Sequence, residues 1–139
     1  MCYNSKCKIE IKSCIDGVQD IISAKGRVIK SHSDISFDYT LDGDSCTLTI
    51  TDGEVVQDRR GEQSIKLTFR KGEKTECFLK NGGFLGTFPV FTHDLQCTMC
   101  DINRKIGAIQ VFILSIVYTI GEQKIELNFS AEYKLKEKR

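Results

Sequence analysis

The chain has 139 residues, 20 basic and 19 acidic, a net charge of +1 and 40% hydrophobic content. That is chain enough for one buried core, with too little charge bias for a nucleic-acid footprint and too much apolar content for a disordered polymer. The most apolar run, residues 108–120, is shorter than the ~17–25 residues a membrane helix needs, and Gln110 and Ser115 interrupt it. The opening MCYNSKCKIE holds no signal-peptide core, so the reading is a soluble cytoplasmic domain with no membrane association.

In chain order, the first strand is expected near residues 6–14 and the next near 19–31. Another follows near 34–41, where Ile35, Phe37, Tyr39 and Leu41 alternate with Ser36, Asp38 and Thr40. Short strands follow near 45–51, 54–60, 63–70 and 74–80. Asp42-Gly43, Asp52-Gly53 and Asn81-Gly82 punctuate them, pairs that accept the positive φ of tight hairpin turns. A long segment near 84–100 and strands near 107–120 and 124–136 complete the chain. The last alternates Ile125, Leu127, Phe129, Ala131 and Tyr133 with Glu126, Asn128, Ser130 and Glu132. Composition agrees, with 16 Ile, 7 Val and 10 Thr against 3 Ala. The pattern predicts an all-β chain: one antiparallel up-and-down barrel of about eight to ten strands spanning residues 1–139. A two-sheet sandwich is the competing arrangement.

A resemblance follows from the order of these pieces. The chain carries a Lys-Ile-Glu-Ile-Lys opening strand, an Asp-Gly-Glu-Val-Val turn-strand, and Arg59-x-Gly61 leading into Ile65-Lys-Leu67-Thr-Phe69-Arg-Lys-Gly72. Gly86-Thr87-Phe88, Thr92, Leu95 and a long closing hairpin come after. In these it resembles the YwiB-like family of uncharacterised bacterial proteins, over roughly residues 6–136. The resemblance implies a calycin-like (lipocalin-like) barrel and no known activity.

No reaction is legible. His93 and Cys97 share a strand face but stand ~13 Å apart, too far for a nucleophile–base pair. Cys97 and Cys100 form a CxxC, yet residues three apart in a strand point to opposite faces, ~10 Å from each other. Seven cysteines (Cys2, Cys7, Cys14, Cys46, Cys77, Cys97 and Cys100) read as reduced core hydrophobes, with no disulfide, metal or cofactor.

The leading functional expectation is a non-enzymatic barrel that takes a small apolar or amphipathic, acidic-headed molecule. Its candidate interior groups are Arg59, Tyr39, His93, Tyr133, Thr87 and Phe88. Tyr39 and Tyr133 alternate inward with polar tips that need partners. Arg59 shares a face with Val55, and a guanidinium turned inward needs an anion. His93 is placed inward between Phe91 and Leu95, after a bulge or bend at Pro89. The alternatives are a filled barrel that contacts protein or RNA through its surface, and, third, a cysteine-based metal, redox or enzymatic site.

Overall fold

The computed structural model describes residues 3–101 and 109–134. Cys2, positions 107–108 and 135–136 of the last two expected strands, and the remainder of the basic C-terminal run lie outside them. Ten strands run in order: β1 (Tyr3–Ile15), β2 (Val18–Lys30), β3 (Ile35–Leu41), β4 (Asp44–Thr51) and β5 (Glu54–Arg60), then β6 (Gln63–Phe69), β7 (Lys74–Asn81), β8 (Phe84–Asp101), β9 (Ile109–Ile120) and β10 (Gln123–Lys134). Each pairs antiparallel with its sequence neighbours, and β1 pairs with β10 to close the barrel. The sandwich alternative is thereby excluded. No helix occurs among the described residues, so none is long and apolar enough to cross a membrane.

The turns explain the meander. Asp42 and Gly43 take φ of 50° and 83°, a pair of positive values matching the twist of the flanking strands. The Gly82-Gly83 link starts with Gly82 at φ 59° and joins Asn81 directly to its partner Phe84.

Closure is steep. A row of paired residues leaves β8 at Asp101 and passes through Tyr133, Cys7, Tyr39, Arg59 and Leu79. It returns to β8 at Gly86, about 15 positions from where it started. For ten strands ~4.8 Å apart, with ~3.3 Å per residue, that shear tilts the strands by ~45°. The wall then stands ~11 Å from the axis, a wide interior that small aliphatic side chains alone would not fill.

Aromatic rings occupy much of it. Phe37 of β3 meets Phe112 of β9 and Phe129 of β10, both at 5.1 Å between ring centres, and Tyr39 lies 6.1 Å from Phe129. These contacts join strands that are not neighbours in the sheet, so they cross the interior. Phe69 and Tyr118 form a second group at 4.8 Å. Phe37, Tyr39, Phe69, Leu127, Phe129 and Tyr133 are all buried, as their alternation requires, and Leu67 packs against them.

β8 is read in two frames. Val90 and Thr92 face inward and are fully buried, whereas Phe91 lies on the outer face and is exposed. The register shifts between Thr92 and Asp94, making His93 the extra residue of a β-bulge. Beyond it Leu95 and Cys97 pair with the buried Ile116 and Leu114. The expected break at Pro89 is therefore corrected to His93. Pro89 pairs with Glu76 without a bulge, on a stretch that β9 does not reach.

Among the described residues, the three longest stretches with one neighbour only lie on β2 and β8. Residues 18–25 of β2 pair with β1 alone, because β3 reaches no farther than Gly26. Phe84–Pro89 pair with β7 alone, because β9 ends opposite Val90. The segment 94–101 pairs with β9 alone.

Candidate functional site

The six candidate residues do not form one cluster. Tyr39 and Tyr133 are inside, Arg59 and Phe88 lie on the inward side near a mouth, and Thr87 and His93 are outside.

Gly26 explains how Tyr39 is seated. A Cβ added at Gly26 would fall on the Asp38 carbonyl oxygen and against the Tyr39 Cβ. Only glycine lets β3 approach β2 that closely beside Tyr39, whose inward side follows from the alternation of β3. Burial pushes its phenol up to about 12, Cys46 adding to the shift while Gln57 and Arg59 ease it. No hydrogen bond of ordinary geometry reaches the Tyr39 hydroxyl, although the Gln57 amide is near enough to act on it. Tyr133 differs: its hydroxyl donates to Gln110 Oε1 at 3.0 Å.

Arg59 pairs in register with the buried Cys46, so it does share the inward face. Its Nε donates to Asp44 Oδ2 at 2.8 Å, and its side chain keeps 34% of its surface in solvent. That bond is the main reason its proton is held more tightly than usual. Asp42, Asp44, Glu62 and Arg59 line one recess of ≈ 590 Å³ at the rim. The inward-looking arginine has thus already found its anion in the protein.

Phe88 pairs with the buried Cys77 and lies on the inward side, but 39% of it is exposed where β8 overhangs the mouth. Thr87 pairs with Phe78 on the opposite face and is exposed, which corrects its assignment to the interior. His93 is corrected likewise. The bulge turns it outward, where Nε2 meets Thr119 Oγ1 at 2.6 Å and its ring stands edge-on to Phe91.

One interior polar group went unnoticed in the sequence. Thr92 is fully buried, pairs with Tyr118, and its Oγ1 has no hydrogen-bond partner. Only knowledge of the bulge would have found it, since the frame drawn through Phe91 puts Thr92 outside.

The thiols are quiet. Burial raises Cys7 to about 11 and also raises Cys46, Cys77 and Cys97, which lowers their thiolate fraction and nucleophilicity. Cys97 pairs with Leu114 and Cys100 with Val111, on opposite faces of β8. Among the described residues, no three of His, Cys, Asp and Glu gather in a way that could hold a metal.

Fold and site together define an all-β protein of a single class: a closed, ten-stranded antiparallel meander with an aromatic interior. No family model matches the sequence, and no curated protein does. Among solved structures the chain is similar to the ywiB protein from Bacillus subtilis. The TM-score is 0.75 at 18% identity, over 95% of this chain and 94% of that one. A likeness at that identity shows a shared fold.

Proposed function

We propose that this is a calycin-like, non-enzymatic cytoplasmic barrel that binds a small, largely apolar molecule carrying one neutral polar group. The observation behind the reading is the pair of orphan hydroxyls inside a largely apolar barrel, on Tyr39 and Thr92. A buried hydroxyl without a partner costs ~1–3 kcal/mol, and folded proteins normally satisfy such groups by protein, water or ligand. Apolar walls with a few convergent polar groups are the usual make-up of a small-molecule site. An acidic head is less well supported than a neutral one, because Asp44 neutralises Arg59 and Asp42 and Glu62 stand around the same recess.

Native mass spectrometry of the protein purified from its own host tests this. A stoichiometric small-molecule adduct is expected, weakened by Tyr39→Phe or Thr92→Val. A bare chain would favour the filled-barrel alternative, to which the Phe37–Phe112–Phe129 contacts lend weight. A bound metal would favour the cysteine-based one.

A further inference from the structure

The open edge of β8 carries a self-complementary pairing surface. Backbone direction along this edge follows from two independent observations. The two-residue Gly82-Gly83 turn closes on the pair Asn81–Phe84, so the N–H and C=O of Phe84 point to β7. Farther along, the Thr92 N–H donates to the Glu73 carbonyl and the Thr92 C=O accepts from Gly72, again on the β7 side. Even-numbered residues from 84 to 92 therefore face β7. Leu85, Thr87 and Pro89 face the side that β9 leaves open. Pro89, with no N–H to offer, occupies one of those outward positions, where it forfeits no bond.

Of the three longest one-sided stretches, this one lacks protection. Residues 18–25 of β2 carry Lys25 and place Asp20 opposite Ser13 on the inward side, and 94–101 carries Asp94. Charges at an edge discourage pairing with another chain. Residues 82–92 carry none. Instead Leu85 is 76% exposed, Phe84 54% and Phe78 49%, so both faces of the hairpin carry exposed apolar side chains, while the charges of Glu76 and Lys80 sit on β7 away from the open edge.

We propose that this edge pairs with the same edge of a second copy, antiparallel about a two-fold axis through Gly86. Leu85 and Thr87 then exchange N–H···O=C bonds with Thr87 and Leu85 of the other copy, which uses the amides the open edge presents. Phe84 comes opposite Phe88, stacking four rings on one face. The space they need is present, because Gly86 has no side chain and the rings of Phe84 and Phe88 already lean over it. The exposed parts of Phe78, Phe84, Leu85 and Phe88 amount to on the order of 400 Å² per copy. A stable interface takes ~800 Å² per partner, so the association is weak.

Sedimentation velocity over a concentration series tests it. The wild-type chain is expected to pass from monomer to dimer across the high-micromolar range, and Leu85→Lys to stay monomeric. Leu85 is exposed, so circular dichroism should show that variant folded. Ile21→Lys, on the protected β2 edge, should dimerise like the wild type. A chain still monomeric at millimolar concentration, a dimer surviving Leu85→Lys, or one lost in Ile21→Lys overturns the proposal. A second variant fixes the register. Leu85 of one copy faces Thr87 of the other at a hydrogen-bonded position with Cα atoms ~5.5 Å apart, within disulfide range. The double variant Leu85→Cys with Thr87→Cys should form a cross-linked dimer under mild oxidation beyond any seen with the wild-type cysteines, and a dimer that does not cross-link there refutes this pairing.

Discussion

Replacing Tyr39 by phenylalanine removes one oxygen and leaves the ring against Phe129. The hydroxyl is buried without a hydrogen bond of ordinary geometry, so its removal relieves a desolvation cost of ~1–3 kcal/mol. Gln57 acts on the group, which brings the expectation to the low end. Tyr39→Phe should stabilise the empty protein by about 1 kcal/mol, or about 3 °C in Tm for a domain of this size. The control is Tyr133→Phe, equally buried but bonded to Gln110, which should lose about 1 kcal/mol. Urea unfolding followed by far-UV circular dichroism suits a chain without tryptophan, and the two variants should separate by ~2 kcal/mol in opposite directions. If Tyr39→Phe instead loses as much as Tyr133→Phe, the hydroxyl already has a partner in the empty barrel. The ligand reading then keeps only Thr92 of the two hydroxyls that carry it.

Phe129→Ala, at the meeting point of the interior rings, should cost ~3–5 kcal/mol in the same assay; a loss under ~1 kcal/mol would show a loosely packed interior. Gly26→Ala should cost ~2–3 kcal/mol, since the new methyl meets backbone of β3 that has little room to move. Asp44→Asn and Arg59→Gln should each cost less than ~1 kcal/mol, because the pair is partly exposed, and the double variant should cost less than their sum. Burial holds Cys7 at about 11 from 9.0, and Tyr39 and Tyr118 at about 12 from 10.0. Folding favours the neutral forms, so this stability is intact below pH 9 and is lost as pH rises through 11 to 12. Urea midpoints measured from pH 8 to 12 should fall across that window, and a flat profile there would contradict the burial of these groups.

The wall of this barrel could be read from the residues because its cues are local. Alternation along residues 35–41 and 125–133, with turns at Asp42-Gly43 and Asn81-Gly82, gave the strands and their faces. Strand number and the dry face favour closure but leave a two-sheet sandwich open, and the β1–β10 pairing decides between them. The site was less legible because inward or outward position depends on register, and one inserted residue reverses it. Placing the break at Pro89 rather than His93 put His93 inside and Thr92 outside, the reverse of the structure. Arg59 was placed on the correct face, but its partner Asp44 lies across a turn that no period reveals. The expected bounds, 84–100 against 107–120, make β8 the longer strand, but only the register shows that the overhang is Phe84–Pro89.

The closing pair of strands has a consequence for the order of events in folding. Nine of the ten seams join strands adjacent in sequence and can form as hairpins, whereas β1 meets β10 only across the whole length of the chain. Ser5 Oγ already reaches the Lys134 carbonyl at 3.2 Å, so the two ends of the described chain lie side by side. A circular permutant that tethers them and is cut at the β4–β5 turn would make the slowest seam a local one. The entropy of closing a long loop would then fall on a different pair of strands, while the finished barrel keeps every contact. In such a permutant the zipper starts where the natural chain finishes.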